Sequence, residues 1–134
     1  MSSRSKTRKA KLEPGSATSV VPRNQWGSFL ATFARLHRGW LTRLETNDLV
    51  TQETVVSQEM PLRSIELDLE DEKNPRINVS IKLDNKDLTH ILFLPSRLIL
   101  RSSNQGRVES LQVDTLNTET TVYFRPQEDS LPVM

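Results

Sequence analysis

His37 and His90 are the two histidines of this chain and the side chains best suited to proton transfer or metal binding near neutral pH. A zinc site normally takes three or four His, Cys or carboxylate ligands, often at short spacing. Two distant histidines outside any such pattern assign no metal site, and no cofactor is expected. The plain readings are a helix-end histidine beside Gly39 and a core-facing histidine held by hydrogen bonds. Should the helix cover the strand that carries His90, the two rings could still meet near a shared carboxylate such as Glu45 or Asp87.

The acidic run Glu66, Asp68, Glu70, Asp71 and Glu72 is the second candidate. On a strand, Glu66, Asp68 and Glu70 share one face, neighbours standing ~6.5–7 Å apart. That separation would suit the acid and base of an inverting glycosidase. Catalytic carboxylates, however, need surroundings that push their pKa values apart. Leu67 and Leu69 claim the core here, which leaves the acids a solvated face.

Other catalytic patterns are missing. The chain has no cysteine, which removes disulfides, thiolate metal sites and a cysteine nucleophile, and fits a reducing compartment such as the cytoplasm. Its glycines, at 15, 27, 39 and 106, are isolated and form no phosphate loop or dinucleotide fingerprint. No serine sits in a nucleophile elbow. No stretch approaches the ~20 apolar residues that span a bilayer, so no membrane contact is expected.

The one overt partner signal is a basic arm. Arg4, Lys6, Arg8, Lys9 and Lys11 carry +5 with no acid among them, leaving 13 basic and all 17 acidic residues, a net of −4, for positions 12–134. Such a segment can neutralise phosphates but has no means of reading bases. It is expected to give weak, non-specific contact with nucleic acid or another polyanion, or to act only as a solubilising tail.

Elements that would position these residues follow from periodicity. Residues 1–20 have too little apolar surface to offset the entropy of ordering and are expected to be a disordered arm. Residues 21–126 form one domain, and 127–134 a polar tail. Asn24 is a suitable N-cap, and Trp26, Phe29, Leu30, Phe33, Leu36 and His37 then recur at helical spacing. Gly39 stops the helix in a left-handed turn.

From Trp40 onward the period is two, over eight candidate strands joined by short connections. The strand candidates Gln52–Met60 and Arg63–Leu69 read as one ribbon bent at Pro61. Apolar parity pairs Leu69 with Ile77, Leu67 with Val79 and Ile65 with Ile81, setting Glu70 against Arg76. It likewise pairs Leu111 with Phe124, Val113 with Val122, Leu100 with Leu111 and Leu98 with Val113, setting Arg97 opposite Asp114. Leu88–Leu94 is apolar on both faces, so the helix is expected to cover its second face. The fold is thus α+β: one N-terminal helix packed on a curled antiparallel meander of about seven or eight strands, a partly closed barrel.

A string of short motifs adds to this reading. Val21-Pro22-Arg23, Trp26, Phe29, Phe33 and His37-Arg38-Gly39-Trp40 are followed by Leu44-Glu45 and Pro61-Leu62-Arg63-Ser64-Ile65. Leu88-Thr89-His90-Ile91, Pro95-Ser96-Arg97, Thr120-Thr121 and Phe124-Arg125 complete it. Over roughly 21–125 the chain resembles a bacterial family of unknown function (DUF5335-like). Ser64 stands where that family is expected to have glycine, and Asp87 where it often has a first histidine. The resemblance implies a bacterial, cytoplasmic setting and no established activity. The leading functional expectation is a non-enzymatic binding or interaction module with an unidentified protein partner. The alternative is a ligand-binding or enzymatic domain with a pocket near His37, Thr89 and His90 at the helix–sheet junction.

Overall fold

In the computed structural model, residues 17–127 are described. Arg4, Lys6, Arg8, Lys9 and Lys11 lie outside the described residues, as does most of the C-terminal tail. The elements are β1 (Ala17–Val20), a 3-10 turn (Arg23–Gln25), α1 (Trp26–Leu36), β2 (Leu41–Asp48), β3 (Thr54–Val56), β4 (Met60–Asp68), β5 (Arg76–Leu83), β6 (Lys86–Phe93), β7 (Arg97–Ser102), β8 (Val108–Asp114) and β9 (Thr118–Arg125). The fold is α+β, one helix on an antiparallel sheet.

Strand order is β1-β7-β8-β9-β2-β4-β5-β6, with β3 lying against β2. The path is open, ending at β1 and β6, so the expected partial barrel does not form. Nor is the sheet a simple meander, since β6 and β7 are not neighbours and β9 returns to β2. The reason lies in β2, whose one edge runs the length of β9. Its other edge is shared, β4 taking Leu41 and Thr42 and β3 taking Glu45–Asn47.

The first strand begins earlier than expected. Ala17–Val20, assigned to the arm from composition, pair with Ile99–Ser102 of β7. Thr18 and Val20 are β-branched and suit a strand, although they are exposed. Pro61 is not a break either, because β4 runs through it from Met60 and the interruption falls at 57–59.

The helix buries Trp26, Leu30, Phe33 and Ala34, while Leu36 is 65% exposed and Phe29 only partly covered. Asn24 is not its cap but lies within the 3-10 turn. The helix start is instead fixed from the side, the Trp26 indole N–H donating to the Val21 carbonyl at 2.9 Å. Gly39 does close the helix end, with φ +89°. No helix among the described residues is long and apolar enough to cross a membrane.

α1 packs on β4 and not, as expected, on β6. Ile91 and Phe93 of β6 are 43% and 58% exposed. The helix is held to β4 by two backbone bonds beyond its end, Gly39 N–H to Leu62 O at 2.9 Å and Leu62 N–H to Trp40 O at 2.8 Å.

Registers hold their faces but not always their pairs. β7–β8 pairs Leu98 with Val113, Leu100 with Leu111 and Arg97 with Asp114, as parity required. β4–β5 pairs Leu67 with Ile77 and Ile65 with Val79, two residues from the expected match, and sets Asp68 rather than Glu70 opposite Arg76. β8–β9 is shifted by the same step, pairing Leu111 with Val122. A two-residue slip leaves every side chain on its own face, so the core survives it. That core contains Leu30, Leu62, Ile65, Ile77, Leu98, Leu111 and Val122, each nearly inaccessible.

Candidate functional site

The expected pocket residues do not meet. His37 is buried at the end of α1, its ring 4.2 Å from Phe33 and 4.6 Å from Trp40. Its Nδ1–H donates to the Phe33 carbonyl at 2.8 Å. This is the helix-end histidine of the plainer reading, set among aromatic rings. Thr89 lies on the outer face of β6, its hydroxyl 2.8 Å from that of Ser80. His90 points inward beside Leu92 and lines a different cavity, of about 460 Å³, with Leu44, Thr46, Thr118 and Thr120. Its Nε2 is buried without a hydrogen-bond partner among the described residues, and burial lowers its pKa from the ordinary imidazole value. Among the described residues, no group of three or more His, Cys, Asp or Glu could hold a metal ion.

The acidic run is largely solvated. Glu66, Glu70, Asp71 and Glu72 are exposed. Asp68 accepts from Arg76 at 2.6 Å and from the Glu70 amide at 2.9 Å. The Glu70 amide, ahead of the Arg76 guanidinium, holds its carboxyl below the usual range. A carboxylate so stabilised as the anion is a poor general acid.

A larger concavity lies elsewhere among the described residues, a groove of about 550 Å³ between α1 and β4. One wall is the run Ser64 to Leu69, strand as far as Asp68, and the other is the α1 face Gly27, Ala31, Ala34 and Arg35 with Arg38 just beyond the helix. Two features of the sequence create it. First, β2 pairs with β4 only at Pro61 and Met60, and Gly39 and Trp40 then bond Leu62. Beyond that point no strand among the described residues pairs with β4 on this side, so from Ser64 to Asp68 they leave the edge without a ladder. Second, the helix turns its small residues to that edge. A Cβ added at Gly27 would meet only Leu67 Cδ2, at 3.8 Å.

The helix runs antiparallel to β4, Gly27 lying near Leu67 and Gly39 near Leu62. The groove is therefore polarised. Arg35 and Arg38 stand toward its Leu62 end and make no ion pair or side-chain hydrogen bond among the described residues. Glu66 and Asp68 stand toward the other. Asn78 of β5 also lines it, with a buried Oδ1 that lacks a partner. Sequence reasoning saw the aromatic stripe of α1 but passed over the small, basic stripe on its other side. The open edge of β4 has no local signal at all.

A family model covers the whole of this described architecture. That model, described as a family of unknown function (DUF5335), matches residues 17–133. The chain belongs to the DUF5335 family. The DUF5335 match begins at Ala17, the first residue of β1. No curated protein and no solved structure matches the chain.

Proposed function

We propose that this DUF5335 domain is a polypeptide-binding module that takes an extended segment as an added strand along β4. The observation that carries the reading is the edge Ser64–Asp68, unpaired among the described residues and facing a helix wall of Gly27, Ala31 and Ala34. Free N–H and C=O groups on a strand edge template another strand, and main-chain bonds supply affinity while neighbouring pockets supply specificity. The edge covers five residues, about 16 Å at the usual rise, room for a segment of similar length. β6 is also an open edge among the described residues, but the cavity beside it is walled by residues of β2, β9 and the turn before β9, with no helix wall of small residues. The absence of cysteine supports a reducing compartment such as the cytoplasm for this activity.

The test fills the groove. Ala31 is exposed, so Ala31→Trp costs only helix propensity, roughly 0.5 kcal/mol, and leaves the fold intact. Immobilised wild-type chain is expected to capture members of a random octapeptide pool that the variant captures about ten-fold less, the loss of one well-made contact. Equal capture by both chains would overturn the reading.

A second reading has one observation of its own. The orphaned Nε2 of His90 beside a mostly apolar cavity supports a small-ligand site there, worked by hydrogen bonding to a neutral imidazole. His90→Phe would abolish such binding and leave peptide capture at β4 unchanged.

A further inference from the structure

The groove has direction, and direction specifies the partner. We infer that the groove reads the free C-terminal end of its partner polypeptide, with the terminal carboxylate held between Arg35 and Arg38. The inference rests on the strand-addition reading and adds which end of the segment enters.

The groove is blind at its Leu62 end. Gly39 and Trp40 occupy the pairing positions opposite Leu62, so an added strand cannot extend past Ser64 in that direction. A chain terminus, or a sharp exit, must sit there. β4 runs from Met60 toward Asp68, so a strand added antiparallel to it arrives at the blind end with its C-terminus. A parallel strand would bring its N-terminal amine to the same place.

Charge decides between the two. Arg35 and Arg38 flank the blind end and are not neutralised by any carboxylate among the described residues. The C-terminus of α1 contributes a partial charge of about −0.5, which two full cations outweigh. An ammonium would be repelled there, whereas a carboxylate can accept charge-assisted bonds from either guanidinium. Antiparallel pairing is also slightly the more stable per residue.

The far end adds a preference. Glu66 is exposed and takes part in no ion pair among the described residues, while Asp68 is already engaged by Arg76. With the terminal residue opposite Ser64, the residue two before it lies opposite Glu66, where cross-strand side chains approach to about 4.5–5.5 Å. Lysine or arginine fits that position best.

The experiment uses the full chain and two random octapeptide pools, one with free C-termini and one amidated. Capture is read by mass spectrometry, and amide exchange along β4 is read in the same samples. The free-carboxyl pool is expected to be retained about ten-fold or more above the amidated pool, the worth of one charge-assisted bond. Arg35→Gln with Arg38→Gln should bring the free pool down to the amidated level, and captured sequences should favour Lys or Arg two residues before the end. Equal retention of both pools, with Ser64–Asp68 protected, would overturn the terminal reading and leave strand addition standing. Retention without protection of β4 would remove strand addition as well. Ser64–Asp68 already protected in the peptide-free chain, and losing that protection when residues 128–134 are removed or when the protein is diluted, would overturn the inference in favour of the chain's own end or a second copy as occupant.

Discussion

The Gly39 amide donates to the Leu62 carbonyl at 2.9 Å, and this bond both ends the helix and closes one end of the groove. Gly39 can serve in this way because it holds φ +89°, a region that side chains with a Cβ rarely enter. No atom lies within 4 Å of where its Cβ would be, so a substitution is strained by the backbone alone. Gly39→Ala is therefore expected to lower stability by about 1–2 kcal/mol, measured by urea denaturation. An unchanged midpoint would mean that the turn relaxes without cost and that the end of the groove is not fixed.

Trp26 secures the other end of the helix. It is 2% exposed, its N–H bonds the Val21 carbonyl, and the Arg23 guanidinium lies 4.7 Å from its ring. Trp26→Ala should cost about 3–5 kcal/mol. A loss below about 1 kcal/mol in chemical denaturation would contradict the packing of α1 on the sheet.

His90 predicts an acid sensitivity. Burial lowers its folded pKa below the ordinary 6.5, so below that value the unfolded chain binds a proton that the folded chain resists. The neutral ring's contribution to stability is complete above pH 6.5 and is lost as pH falls from there through the lower folded pKa. His90→Gln removes the titration, so its melting temperature should fall less than that of the wild type between pH 7.5 and 5.5. Parallel pH curves for the two chains would show His90 to be solvated.

Much of this fold can be read in the residues, and the misreadings have common physical causes. Leu98 with Val113 and Leu100 with Leu111 came out in register because Arg97 and Asp114 also match, at 2.9 Å. Elsewhere parity fixed the face but not the pair, which is settled by turns such as Thr115–Thr118, closed by their two hydroxyls at 2.7 Å. The helix was misplaced onto β6 because an edge strand with exposed Ile91 and Phe93 has the same alternation as one covered on both faces. The groove was hidden for a different reason. It exists because β2 stops pairing with β4 at Pro61, a tertiary event with no local pattern, while Arg35 and Arg38 read as ordinary helix-end cations.

The arm is a separate matter. Removing residues 1–11 takes away Arg4, Lys6, Arg8, Lys9 and Lys11 and turns a net charge of +1 into −4. We expect full-length protein to bind a labelled duplex weakly at low salt, at best in the non-specific range of ~10⁻⁴–10⁻⁶ M. The truncated chain should not bind, and its melting temperature should be nearly unchanged. Binding that survives truncation would locate the contact on the folded domain, and no binding by the intact chain would leave the arm a solubilising tail.

Strand addition at β4 is tested most directly by residue-resolved amide exchange on the full chain, with and without a saturating peptide taken from the captured pool. In the free protein, the amides of Ser64–Asp68 that face the groove should exchange faster than those bonded to β5. With peptide bound, those same amides should slow by about ten-fold or more while Lys86–Phe93 stays as it was. Protection that falls on β6, or on no residue between Ser64 and Asp68, would contradict the account.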